Sequence, residues 1–234
     1  MMKRIIIVVM MLWNLLTGQD ALANDWANKD YYAQANRALM AGEPDAQRVV
    51  LMGNSITEYW FELHPDFFGS HHLVGRGIGG QVSSQMLARF RQDVINLEPR
   101  IVVINCGTND IAENNGPYDE DITMDNIKSM TELALSHGIK VVLSSVLPTD
   151  GFCWNPGVED VVDKIRHLNQ RIVDYCAAMQ IPYVDYYPVM TSDGAAMNKA
   201  LTDDGVHPNS TGYDIMEVKL LDTLSQMNQP NNQQ

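Results

Sequence analysis

Apolar positions fall into two rhythms along the chain. Five short runs, at residues 48–53, 73–77, 101–106, 140–146 and 182–186, are apolar almost throughout, and the first, Arg48-Val49-Val50-Leu51-Met52-Gly53, ends on glycine. Unbroken runs of this length predict strands buried on both faces. Between the runs, apolar residues recur every three or four positions. After the fourth run Val158, Val161, Val162, Ile165, Leu168, Ile172, Val173 and Cys176 share one helical face. A further helix is predicted around residues 28–40.

Strands alternating with helices of this length require parallel pairing through right-handed crossovers. The predicted fold is therefore α/β, a doubly wound three-layer α/β/α sandwich around a five-stranded parallel sheet. Nothing divides residues 48–227, which are predicted to form one domain. Residues 24–47 are a helical segment packed on it, and the polar residues 228–234 are expected to be a disordered tail. Such sheets bind ligands outside the carboxyl ends of their strands, so the residues just after each apolar run are where chemistry is expected.

The amino terminus follows neither rhythm. Met1-Met2-Lys3-Arg4 precedes an apolar stretch that ends at Leu16, then Ala21-Leu22-Ala23. A basic start, a hydrophobic middle and small residues at a cleavage point predict a signal peptide over residues 1–23 and export to the periplasm or beyond. The apolar stretch has about 12 residues where a spanning helix needs roughly 20, so no stable membrane anchor is expected after cleavage. The formal net charge is −13, and cleavage would remove Lys3, Arg4 and Asp20, leaving the chain more acidic still. A surface this negative repels polyanions, which excludes nucleic acid as a partner. Cys106, Cys153 and Cys176 are an odd set on a strand, a loop and a helix, and imply no disulfide framework; Cys153 is the one expected to be reachable.

Four segments carry candidate chemistry. Asp204-Gly205-Val206-His207-Pro208 sets a carboxylate and an imidazole three residues apart. In a serine hydrolase a neutral imidazole takes the nucleophile's proton, and a carboxylate fixes its tautomer and stabilises the imidazolium. Gly53-Asn54-Ser55-Ile56-Thr57 follows the first strand and offers Ser55 as the nucleophile. Its plainer role would be a helix N-cap, with Glu58 completing a capping box. Arg76-Gly77-Ile78-Gly79-Gly80-Gln81 follows the second strand with bare backbone that lets an N–H approach a ligand. Its spacing fits neither a dinucleotide fingerprint nor a phosphate loop. Gly107-Thr108-Asn109-Asp110 follows the third strand, where Asn109 can donate to an oxyanion or close an Asx turn. The nucleophile elbow Gly-x-Ser-x-Gly of α/β-hydrolases is excluded, because Thr57 stands in place of its last glycine.

In this order the four segments resemble the SGNH hydrolase superfamily, the GDSL-like lipases and acylhydrolases, over roughly residues 48–221. The resemblance implies a flavodoxin-like fold and a serine esterase without cofactor or metal. It assigns Ser55 as nucleophile, His207 as base and Asp204 as its orienting acid. The oxyanion hole would comprise the N–H groups of Ser55 and Gly80 and the side chain of Asn109. The chain departs from the pattern at Asn54, where the family's aspartate usually stands, and at Gln81, where some acetylhydrolase-like relatives carry aspartate. The remaining histidines, His64, His71, His72, His137 and His167, read as surface or capping residues, and no carboxylate cluster gives His71-His72 a metal site.

Selectivity is expected in the loops after the strands, in Tyr59-Trp60-Phe61, residues 111–119 and residues 149–157. Trp60, Phe152 and Trp154 are the candidate substrate contacts. The expected substrate is a small-molecule or oligosaccharide ester with a short acyl group, such as an O-acetyl ester of a carbohydrate. The alternatives are a lysophospholipase or thioesterase, an enzyme that passes the acyl group to a sugar hydroxyl, and an inactive carbohydrate-binding relative.

Overall fold

The computed structural model describes residues 25–227; the signal peptide and the polar tail expected from the sequence lie outside these residues. In chain order the elements are α1 (Ala33–Ala41), β1 (Val49–Gly53), α2 (Ser55–Leu63), α3 (Pro65–Ser70), β2 (Leu73–Gly77), α4 (Ser83–Asp93), β3 (Ile101–Ile104), α5 (Thr108–Ile111), α6 (Glu120–Ser136), β4 (Lys140–Ser144), α7 (Val161–Met179), β5 (Tyr183–Val184), α8 (Tyr187–Met190) and α9 (Ser210–Gln226). The five strands pair in the order β2-β1-β3-β4-β5, all parallel, which is the doubly wound sandwich the sequence predicts.

Successive strand residues feed opposite faces. Val50, Met52, Val102, Ile104, Val141 and Leu143 join one core with α4, α6 and α7. Val49, Leu51, Ile101, Val103 and Val142 join the other with α2, α3 and α9. Burial on both faces is the reason the strand runs show no polar alternation.

Two boundaries differ from expectation. The amino-terminal helix begins at Ala33 rather than near residue 28. Asn28, in the left-handed region at φ 49°, and the hydrogen bond from the Asp30 N–H to Asp25 Oδ2 turn the chain before it. The last strand contains only Tyr183 and Val184; it lies at the sheet edge, and Pro182 has no N–H to extend the ladder.

The order of the strands places the site. The chain leaves β1 toward β2 on one side and returns to β3 on the other, so a crevice opens between the carboxyl ends of β1 and β3. Ser55 and Asn109 lie just past those two ends.

Candidate active site

Ser55 is the first residue of α2, and the cap of that helix is its neighbour: Asn54 Oδ1 accepts from the Ile56 N–H at 3.0 Å. The amide thus does at this turn what Ser55 was available to do, and leaves the Ser55 hydroxyl uncommitted to the backbone. The capping box does not form either. Glu58 instead accepts from the Gly79 N–H at 2.7 Å and from the Tyr31 hydroxyl, tying α2 to the loop after β2.

Ser55 Oγ lies 2.8 Å from His207 Nε2, and His207 Nδ1 lies 2.6 Å from Asp204 Oδ2. Residues 152 positions apart in sequence therefore form one hydrogen-bonded chain. The second carboxylate oxygen of Asp204 accepts from the N–H groups of Val206, at 2.9 Å, and His207, at 2.8 Å. Gly205, at φ 86°, supplies the left-handed residue this tight turn requires. Burial raises the Asp204 carboxyl's affinity for a proton. The His207 ring and the two backbone donors outweigh burial and hold it below the usual carboxylate range. Asp204 is thus kept ionised beside the ring it orients.

The base-bearing loop is joined to the nucleophile helix through the buried Tyr213, on α9, whose hydroxyl donates to the carbonyl of Ile56 at 2.8 Å. On the other side of Ser55, Asn109 Nδ2 donates to the Gln81 carbonyl at 3.0 Å. Asp110 binds the first turn of α4 by accepting from Ser83 N–H and hydroxyl. Burial pushes the Asp110 carboxyl upward, against the pull of those bonds. Gly80 and Asn109 thereby face the same opening as Ser55.

That opening is a cleft of about 300 Å³ lined by Ser55, Tyr59, Gly79, Gly80, Asn109, Asn114, Trp154 and His207. It brings together every residue assigned from the four segments except the acid, which stands behind the histidine. Tyr59 and Trp154 wall the His207 ring, with centroids 5.1 and 6.2 Å from it.

Two of the expected substrate contacts do not reach this cleft. Trp60 is buried in the α2/α9 core, stacked between Phe67 and Tyr213, with its Nε1 donating to Glu217 at 3.2 Å. Phe152 is also buried and packs against Trp154 from beneath, with ring centroids 5.2 Å apart. Within the segment marked for selectivity in α2, the residue that lines the cleft is Tyr59, which was not among the candidate contacts. Helical period gives the signal: Tyr59 is four residues after Ser55 and shares its face, whereas Trp60 is four after Ile56 and shares the core face. Asn114 was missed as well, within the 111–119 loop already marked for selectivity.

Among the described residues, one group has the reach to hold a metal ion: His64, Asp214 and Glu217. Its nitrogens are engaged, since His64 Nδ1 meets Glu217 Oε1 at 2.6 Å and Nε2 meets the Ser210 hydroxyl at 2.7 Å. The group lies under Trp60 and not in the cleft. No described helix is long and apolar enough to cross a membrane.

A hydroxyl–imidazole–carboxylate chain beside convergent amide donors suits acyl transfer through a serine, with no group beyond the side chains themselves. Comparison with known proteins agrees. A structure from Bacteroides fragilis, provisionally described as an acylhydrolase, superposes with a TM-score of 0.84 at 53% identity, over 87% of this chain and 99% of that one. A GDSL-like lipase from Bacteroides thetaiotaomicron gives 0.83 at 50% identity, over 86% and 98%. Among curated sequences, an isoamyl acetate-hydrolyzing esterase from Saccharomyces cerevisiae is 24% identical over 81% of this chain and 92% of its own. An acetylxylan esterase from Xylanibacter ruminicola is 24% identical over 75% of this chain, which spans only 42% of that protein. The sequence pattern of the GDSL-like Lipase/Acylhydrolase family matches residues 51–215. With that match across both the serine and the histidine segments, the chain belongs to the GDSL-like lipase/acylhydrolase family and is a carboxylic ester hydrolase.

Proposed function

We propose that the protein is an exported serine esterase that removes short acyl groups, foremost O-acetyl groups from carbohydrates, through an acyl-serine. The observation that carries this reading is the chain from Ser55 Oγ through His207 to Asp204, at 2.8 and 2.6 Å, opening on a cleft of about 300 Å³. His207 Nε2 takes the Ser55 proton as Oγ attacks the ester carbonyl. The tetrahedral oxyanion is met by the N–H groups of Ser55 and Gly80 and by Asn109 Nδ2. Collapse expels the alkoxide, which receives the proton back from His207, and a water molecule then repeats the sequence on the acyl-serine.

A short acyl group is supported by the cleft, whose lining is two glycines, two asparagines, the serine, the histidine and two aromatic rings, with no aliphatic side chain to hold a long tail. A sugar on the alcohol side is supported by Tyr59 and Trp154, both exposed to solvent beside His207. The names of the two curated relatives, both acetyl esterases, point the same way. Export rests on the pattern of residues 1–23.

Ser55→Ala is expected to abolish the acyl-enzyme burst from 4-nitrophenyl acetate and to lower kcat by about 10⁶. Acetylated xylo-oligosaccharides compared with butyrate to palmitate esters by kcat/KM should favour acetate. A strong preference for long chains would overturn the acetyl assignment, and burst kinetics in Ser55→Ala would overturn the nucleophile.

A further inference from the structure

An asparagine amide can sit in either of two orientations related by a half-turn, which exchange a donor for an acceptor. For Asn109 the two have opposite chemical value. With Nδ2 toward the reacting carbonyl it stabilises an oxyanion; with Oδ1 there it repels one.

The structure holds Asn109 by both ends. Nδ2 donates to the Gln81 carbonyl at 3.0 Å, which uses one of its two hydrogens. Oδ1 accepts at 3.0 Å from Asn114 Nδ2. A half-turn would set Asn109 Oδ1 against the Gln81 carbonyl oxygen and its NH₂ against the NH₂ of Asn114, so both neighbours reject it. Asn114 has a further bond to the same hole, as its Nδ2 also donates to the Gly80 carbonyl at 3.2 Å. One amide nitrogen thus spans the two loops, after β2 and after β3, that carry the two donors other than Ser55.

The remaining atom of the Asn114 amide faces outward. Its Oδ1 accepts from Trp154 Nε1 at 2.9 Å. Trp154 is an exposed wall of the cleft, supported beneath by Phe152. Asn155, its neighbour, donates to the Ala112 carbonyl at 3.0 Å and so pins the same loop to the end of α5. The path runs from the aromatic wall through one amide to the oxyanion donor, with every polar atom of the Asn114 side chain used.

We propose that Asn114 is a positioning residue that locks the orientation of Asn109 and links it to Trp154, so that the alcohol side of the cleft and the oxyanion hole are set as one unit. This rests on Asn109 serving as an oxyanion donor. Asn114 does not touch the reacting atoms; it acts through Asn109 and Gly80.

The test is steady-state kinetics on 4-nitrophenyl acetate, with thermal unfolding of each variant as the control for folding. Asn114→Asp keeps the shape and the acceptor for Trp154 but removes both donors, so a packing role would survive it. Expected is a fall in kcat of about ten- to a hundredfold, the scale of a misplaced catalytic group, with KM within about twofold and an unchanged melting temperature. Trp154→Phe keeps a ring and deletes the N–H, and should lower kcat by about fivefold, the worth of one neutral hydrogen bond. In an Asn109→Ala background, Asn114→Ala should cost no more than about threefold, because its target is already gone. Normal kcat in Asn114→Asp, or full additivity with Asn109→Ala, would overturn the lock while leaving the oxyanion assignment intact. Normal kcat in Asn109→Ala would overturn the oxyanion assignment, and the lock with it.

Discussion

The two halves of the site are built by opposite means. Ser55, Gly80 and Asn109 stand past the ends of buried strands, on segments joined to one another by bonds between residues distant in sequence. At their centre is Arg89, fully buried, which donates to Gln81 Oε1 at 2.6 Å, Asp93 at 3.0 Å, and the carbonyls of Gly53 at 2.9 Å and Arg76 at 3.0 Å. One guanidinium thus holds the strand end before Ser55 and the residue after Gly80. The acid and base, by contrast, lie on an irregular loop that ties itself together. Thr202 Oγ1 donates to the His207 carbonyl and accepts from the Gly205 N–H, while Asp204 accepts from Val206 and His207. None of these bonds spans more than five residues. The lesson is that the first half is specified by the fold, and the second by about seven consecutive residues.

If that division holds, stability and activity should separate when each half is damaged. After the loss of the nucleophile itself, the largest effect expected is on turnover in Asp204→Asn. With Oδ1 kept on the backbone N–H groups of the turn, the new NH₂ faces His207 Nδ1 and donates to it. This moves the ring proton to Nε2, the wrong tautomer for a base, and kcat should fall by about 10⁴. The melting temperature should change little, since Oδ1 can still accept from the backbone of the turn. A large drop in melting temperature would show that the loop supports the fold after all. Arg89→Met should do the reverse. It leaves Asp93 buried without its partner and frees two carbonyls, and should destabilise by about 3–5 kcal/mol in chemical denaturation. A variant as stable as the parent would break the comparison.

A smaller pair applies one chemical change to both halves. A Cβ on Gly77 would collide with the Glu58 nitrogen and the Asn54 carbonyl oxygen. These are backbone atoms of the nucleophile turn, so Gly77→Ala should cost about 3 kcal/mol. A Cβ on Gly205 meets nothing within 4 Å. Its only obstacle is the positive φ, and Gly205→Ala should cost about 1–2 kcal/mol by the same measurement. Equal losses would erase the distinction between a fold-specified and a locally specified half.

The same division explains what was legible in the sequence. The strands were readable because β-branched runs such as Ile101-Val102-Val103-Ile104 announce double-sided burial, and the Asp204–His207 turn was readable because its whole geometry lies within a few letters. Trp60 and Phe152 were misplaced because an aromatic near a strand end carries the same local signature whether it faces a core or a cleft. Only the register of α2 against Ser55 separates Tyr59 from Trp60. The segment before β1 was expected as a helix packed on the domain, and its polar reach had no local sign. Yet the Ala27 carbonyl accepts from Gln81 Nε2 at 2.7 Å, Asn36 bonds Arg76 and Asp93, and the Tyr32 hydroxyl donates to the Gly77 carbonyl. Such contacts join residues 40 or more positions apart and exist only once the chain has folded.

The buried cluster around Arg89 also constrains how such a chain can diverge. Gln81, Arg89, Asp93 and Asn36 satisfy one another in a space closed to water, so replacing any one strands a charge or an amide among the rest. Lineages that change this cluster must change it in concert, by a compensating pair or by exchanging the whole set for apolar residues. The Asp204–His207 turn can travel intact between otherwise unlike sequences, whereas the arginine cluster should be inherited or lost as a block.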